Sequence, residues 1–251
     1  MERQPRYLLI WGVILLVVCA WPAWAQDRLE PDETAQQARS HLNKGLRLEN
    51  SGRYEEAVQA YREALKLKPD DADAHLSLGL AYGRLNRYPE AVKEFKEAIR
   101  LQPQWAKAYE NLGVAYVKLG LWQDARDAFK ETVRLHPDDA EAHYNLGLAY
   151  GRLKHDQQAK EAFAQAIRLN PNLAKAHTNL GMAYVNLGRW DKAGEAFKEA
   201  VRLKPDDAQA HYGLCAYYVK LGDRQAAAGE YNTLKNLDQD LARKFSETIL
   251  K

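Results

Sequence analysis

The sequence predicts an all-α solenoid, a stack of antiparallel helix pairs sharing one continuous core. Three observations predict it. Proline recurs at Pro69, Pro103, Pro137, Pro171 and Pro205, each 34 residues after the last. Between successive prolines lie two segments with apolar residues at helical spacing. Columns of one residue type then recur in register along the chain. A fixed period of this length points to a surface for binding other molecules and away from a catalytic pocket.

Residues 1–25 follow another pattern. Arg3 and Arg6 precede an apolar run from Tyr7 to Ala20, and Ala23-Trp24-Ala25 forms a small-x-small site. This is the layout of a secretory signal peptide, with cleavage expected between Ala25 and Gln26. The alternative is an uncleaved membrane anchor, although Tyr7–Ala20 is shorter than the roughly 20 apolar residues a spanning helix needs unless Trp21–Ala25 is included. Cys19 admits a lipoprotein reading, but Val18 stands where a small residue is wanted. Each reading places the rest of the chain outside the cytoplasmic membrane, periplasmic or attached to the envelope. Residues 26–37 form a polar leader.

Six units follow, at 38–71, 72–105, 106–139, 140–173, 174–207 and 208–241. Gly45, Gly79, Gly113, Gly147 and Gly181 form one column, broken by Cys215. Tyr82, Tyr116, Tyr150, Tyr184 and Tyr218 form a second, and Ala57, Ala91, Ala125, Ala159, Ala193 and Ala227 a third. Four residues after the alanines stand Tyr61, Phe95, Phe129, Phe163, Phe197 and Tyr231. In the second unit His75, Leu78, Gly79 and Tyr82 share one helix face, and Ala91, Phe95, Ala98 and Leu101 share a face of the next. Joined by a tight turn, two such helices bury these faces on each other. The small residues let the backbones approach and the aromatics fill the remaining volume.

The turns carry Gly52, Gly120, Gly188 and Gly222, suited to helix C-termini. Each second helix ends before its proline, which disfavours helix in the residue ahead of it. Acidic or amide residues after most prolines, as in Pro69-Asp70-Asp71 and Pro137-Asp138-Asp139, suit the start of the next helix. Residues 242–251 read as a short helix, with Leu241, Phe245 and Ile249 aligned to cover the last apolar face.

The stretches Leu78–Pro103 and Leu180–Pro205, with their Leu-Gly, Tyr, Ala, Phe, Ala and Pro positions, resemble the tetratricopeptide repeat family. The resemblance covers residues 38–241 and implies a right-handed superhelix. The first unit is divergent and the sixth has Gln239 where the proline falls, as terminal repeats facing water on one side allow.

Composition narrows the function. A net charge of +2 with 28% charged residues argues against general nucleic-acid binding, which wants a strong basic excess. A chain cleaved after Ala25 keeps one cysteine, Cys215, which fits a small buried residue better than a reactive thiol. His41, His75, His143, His177 and His211 share a column. Equivalent residues of stacked repeats lie on the order of 10 Å apart, whereas metal ligands converge to about 2 Å from one ion, so these histidines read as packing residues. His136 and His155 read as turn residues. No nucleophile elbow, phosphate loop, HExxH or CxxC occurs. The expectation is a non-enzyme without cofactor or metal.

The resemblance implies that a second face of each first helix lines a concave groove. One row there reads Asn43, Ser77, Asn111, Asn145, Asn179 and Gly213. An apolar row follows at Leu46, Leu80, Val114, Leu148 and Met182. A polar row, mostly basic, reads Asn50, Arg84, Lys118, Arg152, Asn186 and Lys220. Lys107 and Lys175 stand near helix starts, with Tyr144 and Tyr212 beside the groove. Asparagine both donates and accepts, so a ladder of Asn43, Asn111, Asn145 and Asn179 suits the backbone of an extended peptide. It looks like the ladder of superhelical family members; the same residues could instead satisfy only local backbone or water. Arg84, Lys118 and Arg152 would favour acidic residues or a C-terminal carboxylate. The carboxylate-clamp members need a Lys and an Asn where this chain has Leu42 and Leu46. These readings converge on an exported scaffold that binds a peptide segment of an envelope protein. A self-associating assembly module and an accessory subunit of a secretion or envelope enzyme complex are the rival readings. The membrane is met only through residues 1–25, if uncleaved.

Overall fold

A computed structural model of the chain describes residues 33–249. The expected signal or anchor segment 1–25, its cleavage site and residues 26–32 of the leader lie outside the described residues.

The described residues form thirteen α-helices, and the first twelve make six antiparallel pairs. The pairs are α1 (Glu33–Asn50) with α2 (Tyr54–Leu67), α3 (Ala72–Arg84) with α4 (Tyr88–Leu101), and α5 (Ala106–Lys118) with α6 (Trp122–Leu135). They continue with α7 (Ala140–Arg152) and α8 (Asp156–Leu169), α9 (Ala174–Asn186) and α10 (Trp190–Leu203), and α11 (Ala208–Leu221) and α12 (Arg224–Leu237). The last helix, α13, spans Gln239–Ile249. Two boundaries differ from the sequence reading. Helix α1 already begins at Glu33, inside the polar leader, and α13 begins at Gln239, inside the sixth unit. With no proline after α12, only Asp238 separates the two helices. No helix among the described residues is long and apolar enough to cross a membrane.

The columns meet as pairs. Ala57, Ala91, Ala125, Ala159 and Ala193 are sealed in the core, together with Tyr61, Phe95, Phe129, Phe163 and Phe197. Each of these rings lies on the glycine of the preceding helix; a Cβ at Gly79 would stand 2.5 Å from Cε1 of Phe95. Burying one such ring stabilises the stack by roughly 1.5–3 kcal/mol. Cys215 replaces the glycine in the sixth pair, where it is fully buried beside Leu234, Ala242 and Phe245. Burial and the charge of Glu230 push its thiol pKa up to about 12. Phe245 and the half-buried Leu241 of α13 close this end of the core.

Six turns share one design. The backbone N–H groups of Gly52, Asn86, Gly120, Lys154, Gly188 and Gly222 each bond a carbonyl three residues back, and the following N–H bonds the carbonyl five residues back. This paired ending requires a left-handed residue. Four of the six are glycine, but Asn86 and Lys154 adopt it with φ of 59°. At the other turns the cap is the second residue after proline. Asp71, Asp139 and Asp207 each accept from N–H groups of α3, α7 and α11, while Trp105 and Leu173 hold the same place at α5 and α9 without a side-chain cap.

The histidine column serves these turns. Nε2 of His75, His143, His177 and His211 lies 2.9 Å from the carbonyl of Pro69, Pro137, Pro171 and Pro205 respectively. A carbonyl only accepts, so Nε2–H donates in all four. Each ring thus ties an inner helix to the proline turn before it.

Candidate functional site

Among the odd-numbered helices, α1 and α3, α3 and α5, α7 and α9, and α9 and α11 also touch along the stack, so this set forms its inner wall, and the even-numbered helices lie outside them. Two concavities open on the inner wall. One, of about 480 Å³, spans α5, α7 and α9 and is lined by Val114, Asn145, Leu148, Arg152, Asn179 and Met182 among others. The other, of about 680 Å³, lies at the first repeat, where Asn43, Leu46 and Arg39 of α1 face Asp73 and Ser77 of α3.

The asparagine row is split by its local bonding. Asn111 and Asn179 each donate one N–H, at 2.8 Å, to the carbonyl of Lys107 and Lys175 in their own helices. Asn179 also points an N–H at the Tyr144 hydroxyl, 3.4 Å away. Asn111 therefore has one amide N–H engaged locally and Asn179 both, while the amide oxygens of both keep their lone pairs. Asn145, in the concavity across α5, α7 and α9, has no hydrogen-bond partner among the described residues. Gly213, the last of the row, is covered by the Phe197 ring.

The basic row reaches aromatic rings more than carboxylates. The Arg152 guanidinium lies 5.0 Å over the ring of Trp122, and the Lys220 ammonium 5.9 Å over Trp190. Arg84 and Lys118 are exposed with no ion-pair partner among the described residues. In the fifth repeat Asn186 replaces the cation and donates to Asp156 at 2.7 Å. Lys107 pairs with Glu110 at 2.8 Å, and Lys175 bridges repeats to Glu141 at 2.6 Å while lying 4.3 Å over the Tyr144 ring. Tyr144 packs on Phe163, and burial, with the charges of Glu141 and Asp207, raises its phenol pKa against the opposing bond from Asn179. Tyr212 is turned to the cap: its ring meets Phe245 of α13 edge-on at 5.4 Å. The structure thus joins Asn145, Asn179 and Arg152 in one concavity, sets Asn43 in the other, and docks Tyr212 against the end of the stack.

Sequence reading by single repeats misses a longer period of two repeats. Leu46, Val114 and Met182 are 41%, 42% and 39% exposed, whereas Leu80 and Leu148 of the intervening repeats are half-buried. The aspartate caps fall before α3, α7 and α11, and the left-handed Asn86 and Lys154 follow α3 and α7. Aligning residues 68 apart would have exposed this alternation. It also reveals the partners Trp122 and Trp190, which no single-repeat column marks.

The chain matches the family model of the Cilia and flagella-associated protein 70 C-terminal domain over residues 22–244. Among solved structures it resembles MamA from Desulfovibrio magneticus RS-1, with TM-score 0.64 and 27% identity over 68% of this chain and 97% of that one. It also resembles the PilF protein of Pseudomonas aeruginosa, with TM-score 0.70 and 22% identity over 86% of this chain and 99% of that one. YrrB, described as a TPR protein with an unusual peptide-binding site, aligns with TM-score 0.64 and 23% identity, covering 76% of this chain and 99% of its own. No curated protein sequence matches the chain.

Proposed function

The chain belongs to the tetratricopeptide repeat family, and on that premise we propose that it is an exported, non-enzymatic scaffold holding a peptide segment of an envelope protein in its inner groove. The observation that carries this reading is the composition of the concavity across α5, α7 and α9. Asn145 offers free donors and an acceptor, and Asn179 a free amide oxygen, beside exposed Met182 and half-buried Leu148, with Arg152 at the edge. Backbone-binding amides, an apolar shelf and a cation together suit an extended peptide. A shallow, pre-formed surface of this kind gives micromolar affinity, because the gain from contact is largely offset by ordering the peptide. The charged segment before the apolar run of residues 7–20 and the small-x-small site at Ala23–Ala25 support export.

The test is capture from an envelope extract by the C-terminally tagged chain beside the triple variant Asn111→Ala, Asn145→Ala, Asn179→Ala. The reading expects a protein retained by the unmodified chain and lost from the variant at unchanged helicity. Equal retention by both would move the site to the outer or end faces. Recovery of the chain alone would favour self-assembly.

A further inference from the structure

The inner wall carries one constellation three times. On α1, Arg39, Asn43 and Leu46 stand at i, i+4 and i+7, one face of a helix. On α5 the same places hold Lys107, Asn111 and Val114, and on α9 Lys175, Asn179 and Met182. The three apolar members are those near 40% exposure. Each set is followed by an aromatic residue opening the next helix, Tyr54, Trp122 or Trp190, and by a cation ending the inner helix after that, Arg84, Arg152 or Lys220. The intervening helices break the pattern in their sets, which read Asp73, Ser77, Leu80, then Glu141, Asn145, Leu148, then Gln209, Gly213, Ala216, although Tyr88 and Lys118 repeat the aromatic and the cation after the first of them.

Resting on the groove reading above, we propose that the groove is three copies of one subsite spaced two repeats apart, and that its occupant is an extended, acidic segment of a partner protein in which an acidic–apolar motif recurs about every six residues.

The spacing follows from geometry. Packed helices lie 8–10 Å apart, so inner helices two repeats apart are separated by roughly 20 Å, which an extended chain crosses in about six residues at 3.3 Å each. The sign of the partner's charge follows from what the groove has already neutralised. Glu110 and Glu141 are neutralised by Lys107 and Lys175, while Asp156 accepts from the uncharged Asn186 and keeps its charge. Arg84, Arg152 and Lys220 are exposed and form no ion pair among the described residues. A guanidinium lying on an indole face keeps its N–H edge free, so Trp122 orients Arg152 for a carboxylate without competing for it. Each subsite then takes one acidic side chain on its cation and one apolar side chain on its exposed Leu, Val or Met, while its asparagine holds the peptide backbone.

The experiment titrates the full-length chain into fluorescent Gly-Ser peptides carrying one, two or three Glu-Leu dipeptides at six-residue spacing. Controls space the dipeptides every three residues or replace Glu by Lys. The proposal expects affinity to rise about tenfold or more with each added copy, as effective concentration dictates for linked sites. Closer spacing and Lys peptides should lose that gain. Arg152→Glu, an exposed change, should return the three-copy peptide to the affinity of the two-copy peptide or below. Equal affinity for one and three copies, binding indifferent to spacing, or no binding by any peptide overturns the threefold subsite. Copy-independent binding that the triple asparagine variant still abolishes would leave the groove reading standing while this inference falls.

Discussion

The ring of Phe163 lies on the backbone of Gly147, and a Cβ added there would stand 2.6 Å from its Cε1. The ring is 3% exposed and has nowhere to retreat. Gly147→Ala is therefore expected to destabilise the protein by about 2 kcal/mol through overpacking. Urea unfolding followed by helical circular dichroism measures it. A loss under about 0.5 kcal/mol would mean that the helix pair tolerates separation.

Lys154 occupies a left-handed turn position that glycine fills in four other repeats. A side chain costs roughly 1–2 kcal/mol there, part of which glycine returns as chain entropy. Lys154→Gly should raise stability by about 1 kcal/mol, and the same change at Gly120, to Lys, should lower it by a similar amount. Paired denaturation curves decide.

Asp139 caps α7 by accepting from Glu141 and Ala142 at 2.9 and 3.3 Å. Asp139→Ala should cost about 1 kcal/mol. Amide hydrogen exchange should locate the loss in the first turn of α7, and uniform loosening of the stack would contradict the local account.

His75 gives stability a pH dependence. Burial pulls its pKa down, but bonds to Glu94 and the Pro69 carbonyl, with the charges of Glu94 and Glu97, outweigh burial and hold it above its ordinary value. Nδ1 lies 2.7 Å from Glu94 and Nε2 2.9 Å from the carbonyl, so both nitrogens donate and the ring is an imidazolium. A raised folded pKa means that this contribution is complete below the unfolded value near 6.5 and is lost as pH rises through the higher folded value. The melting temperature should fall on the alkaline side of that window, and His75→Gln should flatten the slope.

Cys215 should resist thiol reagents in the native protein, since its thiolate is scarce at neutral pH and its side chain is sealed. In a Cys19→Ser background, which leaves Cys215 as the one thiol, labelling should keep pace with unfolding in urea. Rapid labelling without denaturant would show that α13 opens.

Much of the fold was legible because each repeat solves the same packing problem with the same residues. Gly79 and Phe95, or Gly181 and Phe197, announce their contact by spacing alone. The turns were legible where glycine marked them and obscure at Asn86 and Lys154, whose backbone is set by the Schellman bonds around them. The histidines read correctly as structural, but their proline-carbonyl bonds depend on how the turn folds back over the helix, which no column displays. The inner row was legible as a face, yet its chemistry was not. The proximity of Arg152 to Trp122 and the turning of Tyr212 to Phe245 depend on contacts between repeats, and a single-repeat alignment averages those away.

The central claim is that the inner wall holds the partner. A photo-crosslinking amino acid at position 145 in α7 tests it most directly, beside the same probe at position 130, an exposed site on outer helix α6. The account predicts a partner adduct from 145 that is absent from 130 and is suppressed by competing peptide. An adduct from 130 with none from 145 would contradict it.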